Sequence, residues 1–222
     1  MKNLAGLDYE YVAPKSGKAA QSIVFLLHGL GSNAQDLIGL VQYWEDALPD
    51  TAFISPNAPF PCDMASYGYQ WFSLQSRAPD AMLKGVQTAF PILSGFVDAC
   101  LAEYGLDESK MAAVGFSQGS MMSMYSFPRR AKPCAGIACY SGSLLDDGTL
   151  VKDPNSLQKM PILLVHGTAD DVVPFAAFEH AGNYLHQAGF NVRGLACEGL
   201  GHSIDSKGLT EGGAFLNRAL YA

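Results

Sequence analysis

The chain of 222 residues is long enough to bury well over half of the surface its unfolded form would expose, so its core needs no disulfide or metal staple. Apolar residues make up 49% and charged residues 16%, a balance that excludes a disordered tail, a coiled coil and a collagen-like chain. Fourteen Lys plus Arg against 21 Asp plus Glu leave a net charge of −7, with no cationic run beyond Arg129-Arg130, which speaks against nucleic acid or an anionic membrane as partner.

In chain order, the alternation of Leu7–Val12 predicts an antiparallel edge strand. Ser22–Leu27 is a short apolar run entering His28-Gly29, and residues 35–48 carry a helical pattern. Residues 51–54 read as a strand. Residues 56–79 then bring Pro59, Phe60, Pro61, Tyr67, Tyr69, Trp71 and Phe72 with no period, which predicts a binding segment or lid. In 81–104, Leu83, Val86, Phe90, Leu93, Val97, Leu101 and Tyr104 step by three or four and keep phase across Pro91, predicting one helix kinked at the proline. Strands follow at 111–114, 135–140, 162–165 and Val192–Cys197, and helices at 119–127, 175–187 and 207–221. Short buried strands alternating with helices predict an α/β fold, a mostly parallel central sheet with helices on both faces. No internal repeat, linker or low-complexity tract divides the chain, so one domain over 1–222 is expected. The N-terminal residues carry no signal-peptide pattern and no run of eighteen apolar residues occurs, so a cytoplasmic protein without stable membrane insertion is expected. Cys62, Cys100, Cys134, Cys139 and Cys197 have neither disulfide-framework nor zinc-site spacing and read as buried thiols.

Gly115-Phe116-Ser117-Gln118-Gly119 fits a nucleophile elbow, in which a serine is pinched between strand and helix so that its hydroxyl stands clear. Glycines suit the flanking positions because a β-carbon there would collide as the chain reverses. A hydroxyl needs a base, and the base a carboxylate that holds its tautomer. His28 and His166 sit at strand ends before glycines, and His180 and His186 fall in a helical pattern. His202 lies in a loop between the last strand and the last helix, where a sheet presents catalytic groups. Asp170 and Asp171 both follow the strand at 162–165, and Asp146 and Asp147 fall one strand too early. Ser117, Asp170, His202 is the chain order of the α/β-hydrolase architecture. Two backbone donors are needed for a tetrahedral oxyanion: the N–H of Gln118, after the nucleophile, and the N–H of Leu30, in the loop after the early strand. The segment 29–34 also matches a dinucleotide fingerprint, but the next strand ends in Ser55-Pro56-Asn57, without the acidic ribose ligand.

These residues resemble the phospholipase/carboxylesterase group of α/β-hydrolases, which includes acyl-protein thioesterases and small bacterial carboxylesterases. The resemblance is carried by Leu27-His28-Gly29-Leu30-Gly31, Asn57-Ala58-Pro59, Trp71-Phe72, the elbow, His166-Gly167 through Asp170 to Pro174, and Gly201-His202. It implies a serine esterase without cofactor or metal, acting on a small-molecule or lipid ester. It also implies that the acid stands four residues after the histidine of its loop, which selects Asp170 over Asp171. Trp71, Phe72, Val172 and Val173 are the expected apolar acyl wall. The alternatives are an acyl-protein thioesterase and a hydrolase-fold binding module without turnover. Ser120, after the elbow, departs from the small apolar residue common in the family, and Met121, Met122 and Met124 follow it. Pro128-Arg129-Arg130 has no role under this resemblance.

Overall fold

A computed structural model describes residues 1–221. The chain opens with β1 (Lys2–Leu4) and β2 (Leu7–Val12), joined by Ala5 and Gly6, both at positive φ (48° and 84°). Two such residues make the tight turn whose twist suits a hairpin. The expectation that Leu7–Val12 forms the sheet edge is therefore corrected: β1 pairs outside it, through a turn too short to carry a strong sequence signal.

β3 (Ser22–Leu27) alternates across the sheet. Ile23, Phe25 and Leu27 face one core and Val24 and Leu26 the other. An unbroken apolar strand results because helices cover both faces. The helix expected over 35–48 is shorter. α1 (Ala34–Ile38) gives way at Gly39 to a 3₁₀ turn through Tyr43, where helix-weakening glycine meets the tighter i to i+3 pairing. Trp44 then pins the segment, its indole N–H donating to Leu209 O at 2.9 Å. β4 (Thr51–Pro56) follows. Within 56–79, β5 (Phe60–Pro61) and β6 (Tyr69–Gln70) form a two-stranded antiparallel hairpin, strands too short to show a period in sequence.

α2 (Pro79–Tyr104) is one helix running through Pro91, with proline at its first position and Gly105 closing it at φ 63°. Among the described residues it is the helix long and apolar enough, by length and composition, to cross a membrane; its Val86, Leu93, Phe96 and Val97 are buried in the core. The remaining elements are β7 (Met111–Phe116), α3 (Gln118–Ser126), β8 (Gly136–Tyr140), α4 (Thr149–Lys152), β9 (Ile162–Gly167), α5 (Ala176–Gln187), β10 (Val192–Cys197) and α6 (Ser206–Tyr221).

The eight-stranded sheet has the order β1-β2-β4-β3-β7-β8-β9-β10, with every pair from β4 to β10 parallel and the first two antiparallel. α2, α3 and α5 pack on one face, and α1 and α6 on the other. This is the expected α/β-hydrolase arrangement. The five cysteines are free and buried. Because the inner strands run in parallel, the loops after β3, β7, β9 and β10 all leave the same end of the sheet, and there the candidate residues gather.

Candidate active site

Ser117 closes β7 at φ 53° and ψ −115°, a conformation costly for a residue with a side chain. Its surroundings hold it there: its N–H donates to Tyr140 O at 2.9 Å, and the chain turns at once into α3. Both elbow glycines are required by space. A β-carbon on Gly115 would strike the backbone of Gly119, and one on Gly119 would strike the Leu27 carbonyl.

The fold brings Ser117, Asp170 and His202 together. His202 Nε2 lies 2.9 Å from Ser117 Oγ, and His202 Nδ1 lies 2.7 Å from Asp170 Oδ2. An ionised Asp170 can only accept, so Nδ1 carries the proton and Nε2 is free to accept from the hydroxyl. Asp170 Oδ1 accepts the N–H groups of Val172 (2.9 Å) and Val173 (2.8 Å). Burial pushes this carboxyl upward, but the hydrogen bonds from His202, Val173 and Val172 outweigh it and hold Asp170 below the usual carboxylate range. Asp171 is exposed, and Asp146 and Asp147 pair with Arg129.

The N–H groups of Leu30 and Gln118 donate no hydrogen bond within the described protein, and Leu30 borders the same cleft as Ser117 and His202. That cleft has a volume of about 520 Å³. Its apolar wall comes from Leu74, Met82, Met121, Val172 and Val173, with Asp36 and Arg77 as its charged groups. Of the four residues expected to form the wall, Val172 and Val173 line it. Trp71 and Phe72 do not: they are 0% and 2% exposed and belong to the hydrophobic core. The reason lies in the hairpin and the contacts just after it. Tyr69 N–H donates to Ser32 O and Gly31 N–H to Tyr69 O, which seats the hairpin on the loop after β3, and beyond it Trp71 and Phe72 are held inward by the Trp71 indole N–H on His28 O and by the Gln118 side chain. From 56–79, it is Leu74 and Arg77 that reach the cleft. Leu74 and Met82 had no sequence signal, being single apolar residues at a loop end and a helix start.

Two further histidines stand behind the site. His28 is buried; Ala58 N–H donates to its Nε2 at 2.9 Å, so the proton sits on Nδ1, which donates to Gly29 O at 2.7 Å. Burial pushes this imidazole below its ordinary range, outweighing the Gly29 carbonyl, and keeps it neutral. His166 Nε2 donates to Val173 O at 2.8 Å.

The profile of the phospholipase/carboxylesterase family matches residues 7–220. A probable carboxylesterase of Oryza sativa subsp. japonica is 32% identical over 209 residues, covering 89% of this chain and 78% of that protein. Acyl-protein thioesterase 1 of Neurospora crassa is 28% identical over 207 residues, covering 86% and 84%. Among solved structures, esterase PE8 superposes with a TM-score of 0.90 at 40% identity, covering 96% of this chain and 99% of that one. With the match running from β2 to the end of α6, the chain belongs to the phospholipase/carboxylesterase family and is a hydrolase acting on ester bonds.

Proposed function

We propose that the chain is a serine carboxylesterase that hydrolyses carboxylic esters of short to medium acyl length through an acyl-enzyme on Ser117. Ser117 Oγ attacks the ester carbonyl while its proton passes to His202 Nε2. The tetrahedral oxyanion is held by the Leu30 and Gln118 N–H groups, each such donor being worth about 3 kcal/mol. Collapse breaks the bond to the alcohol, whose oxygen takes the proton from His202. Water, activated by the same histidine, then releases the acid. Asp170 accepts the Nδ1–H throughout and stabilises the transient imidazolium.

The observation that carries this reading is the hydrogen-bonded run from Asp170 Oδ2 through His202 to Ser117 Oγ, at 2.7 and 2.9 Å, opening onto an apolar cleft. The test is Ser117→Ala, expected to abolish turnover of p-nitrophenyl esters and labelling by a fluorophosphonate while the fold persists. Turnover surviving in that variant removes Ser117 from the mechanism. Thioesters suit the same oxyanion chemistry, and a rate series of oxygen and sulfur esters over acyl length, lysophospholipids included, ranks the substrates.

A further inference from the structure

The Gly29 carbonyl and the Leu30 N–H belong to one peptide group. A trans peptide is planar, so the two point in opposite directions, and whatever holds the carbonyl also aims the N–H. The His28 Nδ1–H holds that carbonyl at 2.7 Å, and its ring is held in turn by the Ala58 N–H on Nε2 at 2.9 Å. The preceding peptide is pinned too, because the Trp71 indole N–H donates to the His28 carbonyl at 3.0 Å. Trp71 is tied to the elbow by the Gln118 side chain, fully buried, whose Oε1 accepts the Trp71 N–H at 2.8 Å and whose Nε2 donates to Phe72 O at 2.7 Å. Gln118 thus supplies one oxyanion donor from its backbone and, through its carboxamide, braces the loop that carries the other.

We infer that His28, Trp71 and the Gln118 carboxamide form a positioning circuit that locks the Gly29–Leu30 peptide with its N–H toward the oxyanion, so that a rotation of that peptide is what the circuit prevents. The inference rests on the proposed oxyanion role of Leu30. None of the three side chains lines the cleft, so they act through the backbone they hold. The circuit gives Trp71 its place: its indole N–H and its burial serve the loop after β3 rather than the acyl chain.

The experiment compares His28→Leu, His28→Asn and Trp71→Phe. Each variant is assayed for kcat and KM with a p-nitrophenyl ester and for inhibition by a trifluoromethyl ketone. That ketone adds Ser117 Oγ to its carbonyl carbon, the Oγ proton passes to His202, and the resulting hemiketal oxyanion occupies the oxyanion site. The matching alcohol, which cannot add, reports binding alone. His28→Leu is expected to lower kcat about 100-fold or more with KM little changed, to weaken the ketone in parallel, and to leave the alcohol and the pH profile as they were. In His28→Asn the side-chain amide N–H stands near the former Nδ1 and should recover most of the loss. Trp71→Phe should lower kcat and ketone affinity together by about tenfold, and it decides the matter if His28→Leu does not fold. Unchanged kcat and ketone affinity in a folded variant, a change confined to KM, or an Asn variant no better than Leu overturns the inference. Ser117→Ala keeps the two layers apart: turnover there defeats the serine mechanism, whereas an inactive Ser117→Ala beside an unaffected Trp71→Phe defeats the circuit alone.

Discussion

His166 Nε2 stands 3.3 Å from Asp170 Oδ2, the same carboxylate oxygen that faces His202 Nδ1 at 2.7 Å. Its N–H is directed at the Val173 carbonyl, and the Val173 N–H returns to Asp170 Oδ1 at 2.8 Å, so His166 closes a ring around the acid loop. Phe175 and Phe178 pack against its imidazole, which is buried. His166→Phe, which keeps an aromatic ring but no N–H, should therefore cost about 1–3 kcal/mol of stability in urea denaturation, the penalty of a buried unpaired carbonyl, and lower kcat as Asp170 loosens. His166→Gln places an amide N–H near the old Nε2 and should recover both. Equal stability in the Phe variant and the wild type would show that the ring is not closed by this bond.

Asp170 also couples the site to acid stability. Its folded-state pKa lies below its unfolded value, so its contribution to folding is fully present above the ordinary carboxyl range, about pH 3.9, and is lost as pH falls through the folded pKa. Asp170→Asn, which cannot ionise, should accordingly show a Tm deficit at pH 7 that narrows as the pH is taken down toward 3. At neutral pH its kcat should fall by about 10⁴-fold, because the amide favours the wrong imidazole tautomer. Asp171→Asn, on an exposed side chain one residue along, should match the wild type in both measurements.

What the sequence made legible follows from how each signal arises. Ser22–Leu27 stands out with its observed bounds because an apolar run bracketed by polar or turn residues is how a covered parallel strand reads, whereas Val192–Cys197, interrupted by Arg193 and Gly194, forms the largely exposed edge of the sheet. α2 is legible because the three-to-four spacing carries through Pro91. Ser117, Asp170 and His202 become candidates because elbow glycines, strand ends and chain order restrict the choices. The sequence does not distinguish the core position of Trp71 and Phe72 from the expected cleft wall, because an aromatic residue in an aperiodic loop has one composition whether it faces a cleft or a core. Contacts between distant stretches decide between them: the pairing of Tyr69 with Gly31 and Ser32, the Trp71 indole on the His28 carbonyl and the Gln118 carboxamide on Trp71 and Phe72. The bracing by His28 and His166 is invisible for the same reason: a buried histidine before glycine announces neither its tautomer nor its partner.

The tightest packing in the site is at Gly119, where an added β-carbon would meet the Leu27 and His28 carbonyls, backbone that cannot swing aside as a side chain can. Gly119→Ala should separate α3 from β3 and destabilise the protein by more than about 3 kcal/mol, or prevent folding. Gly95→Ala, in α2 with open space around the new methyl, should instead be neutral or slightly stabilising through helix propensity. Thermal melts of the two variants make the comparison.

Leu74 tests the cleft as an acyl site. It enters the wall from the end of the 56–79 segment, partly exposed and outside the core proper, so a larger side chain there fills the cleft without opening the fold. If the acyl chain lies along this wall, each added methylene removes apolar surface worth about 0.8 kcal/mol from water, and kcat/KM should climb by up to about fourfold per methylene until the cleft is full. Leu74→Trp should move that plateau to shorter chains: hydrolysis of p-nitrophenyl acetate should stay close to wild type while that of the octanoate falls severalfold, chiefly through KM. The acetate control matters because the acetyl group extends only one methyl beyond the carbonyl at Ser117, so a variant that slows both esters equally has disturbed the catalytic groups, and one that slows neither places the acyl chain along Val172 and Val173 instead.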